Sequence, residues 1–335
     1  MEKNGQQDNS DRVRAPRRLG VALGGGSAKG WAHIGALQAL IEYGWTPQYV
    51  AGTSIGAVVG VALAAGNLAE LAAWARQLTW RRVMGYLDLG FGGGLIRAHK
   101  VLFDFLELLE GRSIASLQLP FGAVATDLAT GREVWITEGA VLDAVRASIS
   151  IPGVIVPHYY DGRWLVDGGL VNPVPVTLCR ALGAETVVAI DLQTTLLDRA
   201  ALSARNYSDD NEDSLSGQPD EAGEEKPEPS IWTRLRQRAR ELQGNNDNKP
   251  PDAPSIYEVI ANSLGIMQWR LARSRLAGDP PELLITPKLP QIGLLDFHEA
   301  AAAIAEGRRA AHLALAALTL PRGGSPLEGE SEEED

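Results

Sequence analysis

Along the chain, short apolar runs alternate with longer stretches in which apolar residues recur every three to four positions. The short runs Leu19–Leu23, Tyr49–Ala51, Phe121–Thr126, Arg163–Val166, Thr186–Ile190 and Glu282–Ile285 predict strands. The helical spacing predicts helices over Ala32–Glu42, Ile55–Ala65, Leu68–Leu78, Val101–Leu109, Val141–Ala147, Val176–Leu182, Ile256–Leu276 and Asp296–Leu318. Strands and helices in alternation make an α/β fold, layered, with a mostly parallel central sheet flanked by helices. Ligands of such sheets bind beyond the carboxyl ends of the strands.

The pattern stops in three places. Residues 1–17 are polar and arginine-bearing, and are expected to be a disordered N-terminal arm. Residues 196–254 read as an acidic, mostly disordered insert, since Ser208 to Pro229 has almost no large apolar side chain and Asn245 to Pro254 is polar and proline-rich. Inside the insert, 231–242 places Ile231, Leu235, Ala239 and Leu242 on one helical face among Arg234, Arg236, Arg238 and Arg240. Such a basic amphipathic segment can suit a lipid interface, but docking on the domain or balancing the acidic insert is the reading put ahead of it. Residues 321–335 form an acidic tail. The remainder, 18–320 apart from the insert, is expected to be a single catalytic domain.

Three segments at predicted strand ends carry candidate chemistry. Gly52-Thr53-Ser54-Ile55-Gly56 has the spacing of a nucleophile elbow, a strand–turn–helix so tight that flanking side chains must be absent. It would leave the Ser54 hydroxyl exposed over the N-terminus of a helix. Gly24-Gly25-Gly26-Ser27-Ala28-Lys29-Gly30 follows a strand, and its backbone amides suit an anion or a developing oxyanion. Asp167-Gly168-Gly169 ends another strand and presents a carboxylate on a loop without bulky neighbours. Taken singly, the first and third are also ordinary turns. The glycine loop misses both nucleotide spacings, being one residue too long for the dinucleotide fingerprint and lacking Ser or Thr after Lys29.

Glycine nest, serine elbow and loop aspartate, in that order, resemble the patatin-like phospholipase family, short bacterial type. Arg146-Ala147-Ser148-Ile149-Ser150-Ile151-Pro152-Gly153, Thr126-Asp127-Leu128-Ala129-Thr130-Gly131 and the loosely matching Asp167 to Pro175 extend the likeness. It covers roughly residue 18 to the low 190s and resumes from about 255 to 320. The resemblance implies a Ser–Asp dyad without histidine: Ser54 as nucleophile and Asp167 as base and later acid. Gly25, Gly26 and Ser27 are the expected oxyanion donors, with Gly24, Lys29, Gly30, Gly52, Gly56, Gly168 and Gly169 as supporting motif residues. It also implies an ester of a lipid or phospholipid as substrate, and no metal or organic cofactor. Two positions depart from the family: many members carry glycine at Ser27 and arginine at Lys29. Ser27 is accommodated if its φ is negative, and Lys29 keeps the charge while losing the planar fork.

The chemistry states what the site must provide. An ordinary aspartate, with a pKa of about 3.9, is a weak base toward a serine hydroxyl. Asp167 must therefore be partly desolvated and the oxyanion well stabilised. A conventional triad would need a histidine after the acid, which leaves His298 and His312; both fall in the terminal helical pattern. His33 reads as a core or capping histidine, His99 and His158 precede the acid, and Asp127 reads as a turn-fixing residue. Gly85 to Ile96, with Gly92-Gly93-Gly94, reads as a flexible connection near the active face or a simple loop.

Composition narrows the classes. The 335 residues are 45% hydrophobic and can bury a sizeable core, mostly aliphatic since aromatics are 6%. A formal net charge of −11 argues against nucleic acid as a partner. A lone cysteine permits no intramolecular disulfide, and no secretory h-region or membrane-spanning run is visible. These features predict a cytoplasmic protein, with peripheral contact at the inner membrane surface through 231–242 as one option. The alternatives are a short-chain carboxylesterase or thioesterase, or a non-catalytic regulatory or scaffold protein that uses the insert as its interaction element.

Overall fold

The computed structural model of the protein describes residues 15–86, 106–193 and 256–319. Its strands are β1 (Leu19–Leu23), β2 (Tyr49–Thr53), β3 (Phe121–Asp127), β4 (Glu133–Ile136), β5 (His158–Tyr160), β6 (Arg163–Asp167), β7 (Thr186–Ile190) and β8 (Leu283–Ile285). Its helices are α1 (Ala32–Glu42), α2 (Ile55–Ala64), α3 (Leu68–Arg76), α4 (Trp80–Tyr86), α5 (Val141–Ser148), α6 (Val176–Ala181), α7 (Ile256–Gly278) and α8 (Ala300–Thr319). Short 3-10 turns at Ser27–Trp31, Gly168–Leu170 and Phe297–Glu299 flank the site described below.

All eight strands join one sheet. Parallel pairing links β3, β2, β1, β7 and β8 in that spatial order, while β4, β5 and β6 add antiparallel pairs at the β3 end. The expected α/β architecture with a mostly parallel sheet between helices is the one the chain adopts. Both faces are covered, so the central strands are buried along their length except at Tyr49 and Thr186, the first residues of β2 and β7. Leu19, Val21 and Leu23 of β1 pack into the larger core with α1, α2, α3, α5 and α8. Ala22, between them, faces the smaller core with α6 and α7. Cys179 of α6 lies in that smaller core, where burial pushes its thiol up to about 12.

Several elements differ from the pattern reading. β4 and β5 were not expected: they are four and three residues long and leave Trp135 and Tyr159 exposed, and β4 offers only the three-residue apolar run Val134-Trp135-Ile136. α4 was not expected either. Of the predicted helix Val101–Leu109, residues 101–105 lie outside the described residues, and the remainder closes with a 3-10 turn, Glu107–Leu109. Gly85 and Tyr86 end α4, and the rest of the Gly85–Ile96 connection lies outside the described residues. So do the N-terminal arm apart from 15–17, the insert at 196–254 with its 231–242 segment, and the tail at 321–335.

The register at β3 sets up the site. Val124 pairs with Thr53 of β2 on one edge and with Trp135 of β4 on the other. One residue on, Ala125 pairs with Val134 of β4 and with Asp167 of β6. Since β4 holds one edge throughout, β6 takes the edge that β2 vacates. The two strands thus arrive end to end along β3, with Thr53 last in β2 and Asp167 last in β6.

Candidate active site

At Thr53 the chain leaves the sheet and α2 begins at Ile55, so Ser54 alone makes the turn, at φ +55° and ψ −126°. That is strained backbone for a residue with a Cβ, and it persists only because its surroundings hold it. The Ser54 amide donates to Ser148 Oγ at the end of α5 (2.8 Å), and Thr53 Oγ1 donates to the Asn172 carbonyl (2.8 Å). A Cβ on Gly52 would press into the backbone of Ala57, and one on Gly56 into the Leu23 carbonyl. Only glycine lets α2 start this close to β1 and β2. The Ser54 residue is 5% exposed, so its hydroxyl is not presented to open solvent as the elbow pattern suggests; it faces a small pocket.

Asp167 meets it there. Ser54 Oγ donates to Asp167 Oδ2 at 2.5 Å, and the Gly169 amide donates to Oδ1 at 2.7 Å. The Asp167 backbone is fixed as well: its amide donates to the Ser150 carbonyl (2.9 Å) and its carbonyl accepts from Thr126 Oγ1 (2.8 Å). Burial raises the carboxyl to about 6, against the hydrogen bonds from Ser54 and Gly169 that favour the charged form. Gly168 lies against the Val124 carbonyl, with no room for a side chain.

The glycine loop is anchored at its start and open in its middle. Gly24 donates to the Ile190 carbonyl (3.0 Å), and its own carbonyl accepts from His33 Nε2 (2.8 Å). Burial lowers His33 to about 4, against that hydrogen bond, so the ring is neutral with its proton on Nε2. Gly25, expected among the oxyanion donors, spends its amide on the Pro173 carbonyl at 2.9 Å. The amides of Gly26 and Ser27 donate to no acceptor among the described residues. Ser27 has φ +52°, so the negative value under which serine is readily accommodated there is not the one it adopts. Its hydroxyl donates to the Leu294 carbonyl at 2.5 Å, and the Ala28 amide reaches the same oxygen at 3.3 Å. Lys29 closes the 3-10 turn through its amide to the Gly26 carbonyl (3.2 Å), and Gly30 lies directly against the Ile55 side chain.

Between these parts lies an apolar space of about 30 Å³, lined by Ser54 and Ser27 and by Ile149, Ile151, Val154, Ile155, Leu294 and Phe297, among others. His298 sits beside Glu299 (3.4 Å) and His312 is exposed on α8, while the Ser54 hydroxyl is already hydrogen-bonded to Asp167. Asp127 caps its turn through the Ala129 and Thr130 amides (2.9 and 3.2 Å). Among the described residues no group of three or more His, Cys, Asp or Glu side chains is arranged to hold a metal ion, and no helix is long and apolar enough to cross a membrane. Three contributors have no role in the pattern reading: Ser148, the Pro173 carbonyl and the Leu294 segment. Ser148 and Pro173 lie in the motif stretches that carry the resemblance, but nothing in their residue types marks them as partners of Ser54 and Gly25.

The family model for patatin-like phospholipase matches residues 21–180. An "Uncharacterized NTE family protein" of Mycobacterium bovis is 35% identical over 341 residues, covering 90% of this chain and 92% of that one. The lysophospholipase NTE1 of Mycosarcoma maydis is 34% identical over 203 residues, which is 55% of this chain and 10% of that much longer one. Among solved structures, VipD from Legionella pneumophila superposes with a TM-score of 0.48 at 14% identity, covering 90% of this chain and 67% of that one.

Proposed function

Since this chain belongs to the patatin-like phospholipase family, we propose that it is a serine acyl hydrolase that cleaves carboxylic esters of lipids through a Ser54–Asp167 dyad. The observation that carries the reading is the 2.5 Å hydrogen bond from Ser54 Oγ to a buried carboxylate whose pKa is raised to about 6. A carboxylate of that basicity is still ionised at neutral pH and is a far better proton acceptor than an exposed aspartate.

In the proposed reaction Asp167 Oδ2 takes the Ser54 proton as Oγ bonds to the ester carbon, and the carbonyl π electrons move onto oxygen. The Gly26 and Ser27 amides receive that oxyanion; Gly25 is left out because its amide is committed to Pro173. Collapse of the intermediate breaks the carbon–oxygen bond to the leaving alcohol, which takes the proton from Asp167. Water then repeats the sequence on the acyl-serine, with Asp167 again as base and then acid. No step calls on a cofactor.

A lipid or phospholipid ester as substrate is supported by the family and by the lysophospholipase name of the Mycosarcoma relative. The small space beside Ser54 favours a second reading, hydrolysis of short-chain esters or thioesters. Cytoplasmic residence with peripheral contact at a lipid surface fits both.

The test is covalent labelling of the purified protein with a fluorophosphonate, alongside Ser54→Ala and Asp167→Asn. The wild type should label, Ser54→Ala should not, and Asp167→Asn should label at least about a hundredfold more slowly. A folded wild type that takes no label would favour the non-catalytic, regulatory alternative. Labelled enzyme is then profiled on acyl esters of graded length and on lysophospholipid.

A further inference from the structure

The hydroxyl of Ser27 has no place in the chemistry above, and its geometry is unusual. The position requires a left-handed φ, +52°, which glycine adopts freely and serine adopts under strain. The side chain bonds neither Ser54 nor Asp167: Oγ, in a residue 8% exposed, donates to the Leu294 carbonyl. Leu294 lines the apolar space beside Ser54, together with Leu295 and Phe297 from the same segment. Ile149, Ile151, Val154 and Ile155 form the facing wall, and Ser148 and Ser150 immediately beside them hold the Ser54 and Asp167 amides. That facing wall is therefore tied to the dyad. The Leu294 wall is tied by Ser27 Oγ, over a longer distance by the Ala28 amide, and further along by Trp31 Nε1, which donates to the Phe297 carbonyl at 3.0 Å.

We propose that Ser27 is a specificity-determining residue for the acyl group: by holding the Leu294 carbonyl, its hydroxyl fixes the wall that closes the space beside Ser54. The inference rests on the acyl-hydrolase reading. With the ester carbon at Ser54 Oγ and its oxygen toward the Gly26 and Ser27 amides, the acyl substituent extends into this apolar space. At about 30 Å³ the space takes a long chain only when one wall gives way. The Leu294 wall, held at Leu294 by Ser27 Oγ and one long amide bond, is the one that can. Ser27 thus sets how readily long acyl chains enter, through its side chain, while its amide serves the oxyanion.

The experiment compares kcat/KM for p-nitrophenyl dodecanoate and butanoate in wild type, Ser27→Gly, Ser27→Ala and Leu294→Ala. Taking the ratio of the two esters removes any loss at the oxyanion common to both. Ser27→Gly relieves the strained φ and Ser27→Ala retains it, but both lose the tether. Each should raise the dodecanoate-to-butanoate ratio by about tenfold, and Leu294→Ala should do the same. Amide hydrogen exchange over residues 289–297 should also quicken in both Ser27 variants, an effect independent of activity. A ratio that stays put, or that moves in Ser27→Ala alone, overturns the proposal. If the wild type labels at Ser54 and the ratios do not change, this inference alone fails. If the wild type neither labels nor turns over ester, the acyl-hydrolase reading fails and takes the inference with it.

Discussion

Asp167 carries the site's most direct consequence for pH. Its carboxyl is raised by burial to about 6, so between the ordinary carboxylate range and that value the folded state holds a proton the unfolded chain releases. Stability contributed by the protonated form is present at low pH, is lost as pH rises through that window, and stays lost above it. Ionising a fully buried aspartate with a shift of this size costs about 2 to 3 kcal/mol. Asp167→Asn keeps an acceptor for Gly169 and a partner for Ser54, and cannot ionise. It should be inactive yet more stable than the wild type at pH 8, and that advantage should shrink to about a third at pH 4.5, partway down the window. Thermal unfolding at the two pH values measures it, while the wild-type labelling rate should climb through about pH 6 to a plateau. The pairing of Ser54 with Asp167 was legible in the motifs. Which amides remain open was not: Gly25 and Gly26 are the same residue type, and only the position of Pro173 separates them. Nor was the φ of Ser27 legible, because serine argues locally against a left-handed conformation and the tertiary bond to Leu294 overrides it.

At the scale of elements, long buried segments were readable and short half-exposed ones were not. All six strand runs that combined apolar residues with a strand length became strands, and β2 ran on two residues to the elbow because glycine and threonine extend it into the turn. β5 stayed hidden because its pairing depends on β6 beside it rather than on its own apolar content, and β4 because its apolar run is only three residues long. α1 and α8 show the other side of the same dependence. Gly35 of α1 lies on the Ile304 carbonyl of α8, and Gly307 of α8 lies on the Ala32 carbonyl of α1. In an isolated helix glycine to alanine stabilises by up to about 1 kcal/mol. Here the added methyl has only rigid backbone to meet, so Gly307→Ala should destabilise by about 2 kcal/mol or more. Urea denaturation reads the sign directly: a variant more stable than wild type would mean that the two helices do not cross this closely.

For the whole molecule, a formal charge of −11 would keep the protein away from an anionic lipid surface unless a local basic segment outweighs it. The candidate is 231–242, which lies outside the described residues but whose sequence sets four arginines around an apolar stripe. An acyl hydrolase acting on membrane lipid needs residence at the interface, and each basic residue near an anionic surface contributes about 1 kcal/mol. Replacing Arg234, Arg236 and Arg238 with alanine should therefore lower partitioning onto phosphatidylserine vesicles by about a hundredfold. Hydrolysis of a short soluble ester should be unchanged, since the proposed chemistry gives these residues no role. Wild-type binding should also weaken as salt rises, because the attraction is screened over about 10 Å at 0.1 M. Vesicle sedimentation at two salt concentrations separates the cases. Binding that survives both the substitutions and the salt would assign the contact to apolar surface instead, and binding absent from the wild type would place the substrate in solution rather than in a bilayer.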